Sequence, residues 1–209
     1  YDFDNLARAA ELVGLSSMIK IDQEPRIYLA ERALMAGIQN VLFADIRTVE
    51  DAELAVRAVR AEPKGLNGFR MDRRVGYVSC IASASDVVKM CDDAVVALMI
   101  EKKSAVENLE EILSVDGVDM VQFGPSDYSV SIGLPGQRNH PKVREAELKT
   151  IKTALKMDVA PRAEISRPED AKRYIELGVR NFSIGTDVGI LYRWWKQNGE
   201  ELKKMLSRI

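Results

Sequence analysis

The sequence predicts an α/β fold in which helices alternate with parallel strands, closed into a (β/α)8 TIM barrel. Three stretches share one pattern: "MAGIQNVLFAD" (35–45), "VDGVDMVQFGP" (115–125) and "ELGVRNFSIGT" (176–186). Each reads as a helix end, a glycine able to adopt a left-handed backbone, and an apolar run of strand length. Mostly apolar strands that each precede a helix are typical of a parallel sheet, and their near-regular recurrence favours a barrel over an open sheet.

Six strands are predicted along the chain. The glycines that end the preceding helices are Gly14, Gly37, Gly117 and Gly178. The stretch at 11–21 repeats the pattern, and the runs at 95–101 and 159–165 supply two further strands. Helix starts between the strands are predicted from residue pairs that fit a capping box. These pairs are Thr48 with Asp51, Ser104 with Glu107, and Ser166 with Glu169.

Composition limits the organisation and the partners of the chain. With 209 residues, 46% of them hydrophobic, we expect one core and a single domain over residues 1–209. The net charge of -2 and the pI near 5.7 give no electrostatic footprint for nucleic acid. Cys80 and Cys91 lack metal-ligand spacing, and no apolar run reaches about 18 residues. We therefore expect a cytoplasmic protein with neither a nucleic-acid nor a membrane partner.

Acidic residues are concentrated at the predicted carboxyl ends of the strands, the edge where α/β folds place their functional groups. Most such acids cap the next helix or pair with a neighbouring cation, and this is the alternative interpretation for Asp45, Glu164 and Asp187. The residues read at the six strand ends, in order, are Lys20, Asp45, Glu101, Asp127, Glu164 and Asp187.

Glu101 and Asp127 differ from the others because they follow consecutive strands, which lie about 4.8 Å apart in a sheet. Two carboxylates at that distance repel unless a cation lies between them. Mg²⁺ or Mn²⁺ suits carboxylate and water ligands and leaves positions open for substrate oxygens, so a metal site is predicted here. The alternative is a pair of acids neutralised by Lys102, Lys103 or a nearby arginine.

The segment "GPSD" at 124–127 predicts an anion site at the same edge. Gly124 allows close backbone approach, and the N–H groups of Ser126 and Asp127 would point into the cleft. A substrate carboxylate could bind there beside the metal. The alternative is an ordinary strand-to-helix turn that Ser126 or Asp127 caps.

The stretch "ALMIEKKSAVENLEEILSVDGVDMVQFGPSDYSVSIGLPG" (97–136) with "HPKV" (140–143) resembles the HpcH/HpaI aldolases, which are grouped with the β subunit of citrate lyase. The resemblance implies a (β/α)8 barrel and a divalent metal, Mg²⁺ or Mn²⁺ with Co²⁺ as an alternative, held by Glu101 and Asp127. It also implies reversible cleavage of a 4-hydroxy-2-oxo acid to pyruvate and an aldehyde. In that chemistry the metal is the Lewis acid, and the amides of Ser126 and Asp127 hold the pyruvate carboxylate.

The resemblance starts partway into such a barrel, since "YDFDNLARAAELVGL" (1–15) matches the helix after its second strand. The first two strands, the first helix and the catalytic histidine of the family are therefore expected upstream of Tyr1. His140, the only histidine, is expected to cap a helix or to contact another subunit rather than to act as the base.

Two positions depart from the family pattern. Lys20 aligns with the arginine that binds the keto oxygen, and Met99 replaces a common glutamine. Lysine keeps the positive charge, so we assign this catalytic role to Lys20. Because lysine lacks the guanidinium fork, we expect Arg70, or Arg74, to assist in substrate binding. A Schiff-base aldolase built on Lys20 is a further alternative, but it would leave the paired acids without a role.

Two other functions stay open at this point. One is a non-catalytic barrel that binds metal and a 2-oxo acid, and the other is a lyase similar to the citrate lyase β subunit acting on a CoA thioester. The resemblance also implies a homohexamer. The aromatic residues near the chain end support a subunit contact there, because adjacent Trp194 and Trp195 point about 100° apart on a helix.

Overall fold

The structure is a computed structural model that describes residues 2–78 and 82–207. It contains two compact units, Tyr1–Pro161 and Arg162–Ile209. The single domain over residues 1–209 stays a prediction. Cys80 lies outside the described residues, and Cys91 is a buried free thiol.

All six predicted strands are present, and they are parallel wherever their pairing is described. In the first unit β1, β2, β3 and β4 lie side by side in chain order. The predicted left-handed glycines are confirmed, for example Gly37 with φ of 99° and Gly117 with φ of 92°. The strands are β1 (Met18–Ile21), β2 (Asn40–Phe43), β3 (Val96–Ile100), β4 (Met120–Phe123), β5 (Ala160–Ile165) and β6 (Asn181–Ile184).

Helices separate these strands, as the α/β prediction requires. Two short 3₁₀ segments, Arg73–Val75 and Pro168–Ala171, accompany them. The helices are α1 (Phe3–Leu12), α2 (Arg26–Met35), α3 (Val49–Val59), α4 (Ala84–Asp93), α5 (Lys103–Glu107), α6 (Leu109–Leu113), α7 (Pro125–Ser131), α8 (Pro141–Lys156), α9 (Lys172–Leu177) and α10 (Asp187–Leu206).

One of the three predicted capping boxes is confirmed. Thr48 accepts a hydrogen bond from the Asp51 amide, and the Asp51 side chain accepts one from the Thr48 amide. The box at Ser104 is wrong, because α5 starts at Lys103, whose amide donates to Ser131 Oγ at 3.1 Å. The box at Ser166 is also wrong, because the 3₁₀ segment there starts after Arg167.

The strands of the first unit have two buried faces. Side chains such as Phe43, Leu98 and Phe123 pack with the helices in the main core. Alternate residues point to the opposite face, where Leu42, Ala97 and Met99 form a smaller apolar cluster. Since side chains alternate along a strand, Glu101 belongs to this second face.

Arg60 joins the segments that lead into β3 and β4. Its Nη1 donates to the carbonyls of Cys91 and Ala94, at 2.8 and 2.6 Å. Its Nη2 donates to the Gly117 carbonyl at 3.1 Å and to Asp119 Oδ2 at 2.9 Å. One buried guanidinium thus satisfies backbone carbonyls that would otherwise be buried without partners.

The second unit contains β6, the part of β5 from Arg162 onward that pairs with it, and the long helix α10. No residue of α10 is buried, and Trp194 and Trp195 are 55% and 66% exposed. The two indoles contact each other edge-on with centroids 4.7 Å apart. No helix among the described residues is both long enough and apolar enough to cross a membrane.

Candidate active site

Glu101 is the buried acid of the candidate site. It directly follows β3 and is only 3% exposed. Its Oε1 accepts a hydrogen bond from the Asp45 amide at 2.9 Å. Its Oε2 is also buried, and within the part of the chain that the structure describes it has no hydrogen-bond partner. The Glu101 carboxylate is therefore held at Oε1, and its Oε2 is available to bind a ligand.

The environment of Glu101 opposes its ionisation. Burial raises the pKa of this carboxyl above its usual value, and the negative charge of Asp127 raises it further. The Asp45 amide, Lys20 and Lys102 lower the pKa but do not offset burial. A bound cation would supply the missing compensation for the charged form.

Gly124 lies opposite Glu101 on the neighbouring strand. The register pairs Ile100 with Phe123, and the Gly124 amide donates to the Ile100 carbonyl at 3.0 Å. A Cβ at position 124 would lie 2.7 Å from both Cβ and Oε2 of Glu101. Only glycine therefore leaves space for the carboxylate, and the predicted need for close approach at Gly124 has a physical reason.

Asp127 is placed differently from the sequence interpretation. It does not end β4 beside Glu101, because Gly124 takes that place and Asp127 lies in the first turn of α7. Its side chain is exposed, yet it is close enough to raise the pKa of Glu101. The structure therefore brings the two predicted metal ligands to one edge without placing them directly across the sheet.

The "GPSD" segment forms the start of α7. Gly124 precedes the helix, Pro125 is its first residue, and the Tyr128 amide donates to the Gly124 carbonyl at 3.0 Å. Ser126 and Asp127 occupy the first turn and are exposed. Amides of a first helical turn have no partner inside the helix, so those of Ser126 and Asp127 are suited to an anion.

Lys20 lies within β1 rather than at its end, and its side chain is exposed. Its charge lowers the pKa of Glu101, so the Lys20 ammonium lies within electrostatic reach of that carboxyl. Arg70 is exposed, and its described ion pair is with Glu31 at 3.2 Å. Arg74 lies 3.5 Å from Asp72 and contacts the Cys91 thiol. Neither arginine has a described contact with Glu101.

The other sequence candidates have local partners. Asp45 pairs with Lys102 at 2.6 Å and lies 3.7 Å from Arg47, as its ion-pair interpretation predicts. Asp187 Oδ1 accepts from the amide of the following residue at the start of α10. His140 Nδ1 accepts from the Lys142 amide at 3.2 Å, which confirms its capping role at α8.

Gln122 is a buried polar residue that the sequence interpretation missed. It lies opposite Met99 in the β3–β4 register and is 5% exposed. Its Oε1 has no hydrogen-bond partner among the described residues. The sequence signal that could have identified Gln122 is a glutamine inside the apolar run "MVQF", because a buried amide requires hydrogen-bond partners.

The acids at this edge fit a divalent ion with few protein ligands. No group of three His, Cys, Asp or Glu side chains suited to a metal occurs in residues 2–78 and 82–207. The buried, unpartnered Oε2 of Glu101 and the nearby Asp127 nevertheless offer the hard oxygen donors that Mg²⁺ and Mn²⁺ prefer. Water and substrate oxygens would complete such a coordination shell.

Comparison with known proteins identifies relatives that match most of this chain. The family described as HpcH/HpaI aldolase/citrate lyase matches residues 4–193. A 4-hydroxy-2-oxo-heptane-1,7-dioate aldolase of Klebsiella pneumoniae is 36% identical over 170 residues, covering 78% of this chain and 61% of the relative. The corresponding Shigella flexneri aldolase is 35% identical with the same coverage. The chain thus spans about three fifths of the length of these relatives.

Solved structures share the fold. An HpcH/HpaI aldolase from Desulfitobacterium hafniense superposes with a TM-score of 0.88 at 26% identity, covering 97% of this chain and 79% of that one. A family protein from Burkholderia cenocepacia gives a TM-score of 0.85 at 27% identity, with 97% and 80% coverage. The citrate synthase SbnG, at 23% identity and a TM-score of 0.83 over 98% of this chain and 79% of that one, shows a likeness of fold alone.

Proposed function

Because the chain belongs to the HpcH/HpaI aldolase/citrate lyase family, we propose that it is a metal-dependent aldolase. The reaction is the reversible cleavage of a 4-hydroxy-2-oxo acid to pyruvate and an aldehyde. The names of the Klebsiella and Shigella relatives support this substrate class. We further propose that the strands form part of a (β/α)8 barrel, and that the protein is a cytoplasmic homohexamer.

The observation that carries this proposal is the free oxygen of Glu101. A buried carboxylate oxygen without a partner is costly, and it is retained where the charged group has a ligand to bind. Glu101 and Asp127 would hold Mg²⁺ or Mn²⁺, and Co²⁺ is an alternative. Such an ion supplies Lewis-acid polarisation of the keto acid oxygens when it is bound.

The protein groups around Glu101 have separate tasks in this proposal. The amides of Ser126 and Asp127 bind the substrate carboxylate, and Gly124 contributes to this substrate site by leaving room for the Glu101 carboxylate beside it. Cleavage of the C3–C4 bond leaves its electron pair on the pyruvate fragment as an enolate, while the C4 hydroxyl loses its proton to a base and becomes the aldehyde carbonyl. The Lys20 ammonium stabilises negative charge on the keto oxygen, because this cation of β1 lies within electrostatic reach of Glu101. Protonation of C3 then completes pyruvate. A substrate contact by Arg70 stays a prediction.

The test is pyruvate release from a 4-hydroxy-2-oxo acid, measured with and without added Mn²⁺. Activity that requires Mn²⁺ and is lost in Glu101→Ala is the expected result. Metal and oxalate binding without turnover would instead identify a non-catalytic binding barrel. Activity that persists in the presence of a chelator would exclude the metal-dependent reaction.

A further inference from the structure

The peptide between Ala44 and Asp45 is held from both sides. Its N–H donates to Glu101 Oε1 at 2.9 Å. Its carbonyl accepts from Arg26 Nη2 at 3.3 Å, and Arg26 is 2% exposed and paired with Asp51 at 3.0 Å. In a trans peptide the N–H and the carbonyl point in opposite directions, so these two contacts together fix the orientation of the peptide plane.

Asp45 has an unusual backbone conformation at this point. Its φ is +57°, one of three positive values among the non-glycine residues that the structure describes. The left-handed region is unfavourable for an L-residue, and Asp tolerates it better than most because its short polar side chain bonds locally. The chain turns here between the Glu101 contact and Ile46, which is fully buried in the main core. Strain of this kind is concentrated at functional sites.

The Asp45 side chain forms ion pairs with two cations and is not hydrogen-bonded to Glu101. Its Oδ1 lies 2.6 Å from Lys102 Nζ and 3.7 Å from Arg47 Nη2. The contribution of Asp45 to Glu101 is therefore its amide, not its carboxylate.

We infer that Asp45 is a positioning residue whose left-handed backbone directs its N–H to Glu101 Oε1 and thereby leaves Oε2 free for the cation. The inference rests on the proposed metal site. Without this donor, both oxygens of Glu101 would compete for the same ligand, and the carboxylate could rotate. Fixing one oxygen presents the other in a single orientation, which reduces the entropy lost when the ion binds.

Glycine and alanine at position 45 separate the backbone from the side chain. Asp45→Gly removes the carboxylate but takes the left-handed conformation without penalty. Asp45→Ala removes the same carboxylate, but alanine has a Cβ, which makes the left-handed conformation unfavourable. Asp45→Asn keeps a residue that tolerates this conformation and removes only the charge. Mn²⁺ affinity is measured for all three by titration calorimetry, beside the thermal midpoint of each metal-free variant.

We expect Asp45→Gly and Asp45→Asn to bind Mn²⁺ within about threefold of the parent, and Asp45→Ala to bind about tenfold more weakly, since tenfold corresponds to about 1.4 kcal/mol. Equal losses in the glycine and alanine variants would assign the role to the carboxylate and overturn the inference. Unchanged affinity in the alanine variant would overturn it as well. If the alanine variant does not fold, a loss of affinity in Asp45→Gly still refutes the inference.

A second measurement needs no metal. In the metal-free protein, the amide proton of residue 45 should exchange slowly with solvent, and Glu101→Ala should abolish that protection. Rapid exchange in the parent would refute the hydrogen bond to Glu101. A parent that shows slow exchange but binds no Mn²⁺ would refute the proposed function and not this contact.

Discussion

Glu101→Gln should stabilise the metal-free protein while removing its response to metal. The substitution keeps the volume of the side chain and removes a charge that is 97% buried, as its 3% exposure shows. Replacing an unpartnered charged oxygen by an uncharged amide, which is still unpartnered but costs less to bury, contributes about 1–3 kcal/mol. Weakening the Asp45 amide contact costs about 1 kcal/mol. The net expectation is stabilisation by about 1 kcal/mol, or roughly 2–4 °C in Tm for a chain of this size.

The stabilisation of the metal-free protein by Glu101→Gln depends on pH. Because the folded-state pKa of Glu101 is raised, the folded protein binds its proton more tightly than the unfolded chain does. The contribution of Glu101 to metal-free stability is therefore greatest below the ordinary glutamate pKa of 4.5, and it is lost as pH rises through the folded pKa. The variant and the parent should have nearly equal Tm values in acid, and the difference should reach its full size above the folded pKa.

Differential scanning fluorimetry in a chelator, and then in Mn²⁺, measures both effects. Glu107→Gln is the matched control, because Glu107 is an exposed glutamate of the next helix with a 3.6 Å surface pair to Lys103. The control should keep the parent Tm within about 1 °C and retain the Mn²⁺ response. If Glu101→Gln lowers the metal-free Tm by several degrees, Glu101 is a structural anchor and the argument from its free oxygen is wrong.

Five further outcomes are expected. Asp127→Ala should abolish Mn²⁺-dependent thermal stabilisation, and parental Mn²⁺ affinity by calorimetry would contradict its assignment as a ligand. Oxalate should bind only with metal present, and Lys20→Ala should weaken that binding by on the order of 1–3 kcal/mol because one charged donor is lost; an unchanged affinity would remove Lys20 from the site. Arg60→Met should lower the free energy of unfolding in urea by about 3–5 kcal/mol, since it leaves several buried carbonyls without their partner and removes the ion pair to Asp119, whereas exposed Arg57→Met should change it by less than about 0.5 kcal/mol. Light scattering of the full-length protein at micromolar concentration should show an oligomer, because the tryptophans of α10 are exposed; a monomer would refute the subunit contact.

Local sequence signals were sufficient for the strands and for the turns that precede them. Gly37 and Gly117 were predicted to be left-handed because such helix ends favour a residue without Cβ, and both are. The Thr48–Asp51 box forms because both partners lie within one helical turn. The box at Ser104 failed because a side chain from another element, Ser131 Oγ, caps that helix. No local pattern contains this contact.

The sequence by itself identified Glu101 and the "GPSD" turn as the candidate site, since an acid and a glycine that follow parallel strands must meet at one edge of the sheet. Only the tertiary structure decided how they meet. The strand register places Gly124, not Asp127, against Glu101, and a backbone amide 56 residues away holds Oε1 while Oε2 stays free. Register and side-chain orientation are realised by packing between segments distant in sequence, and a slip of one residue would turn every side chain of a strand to the other face.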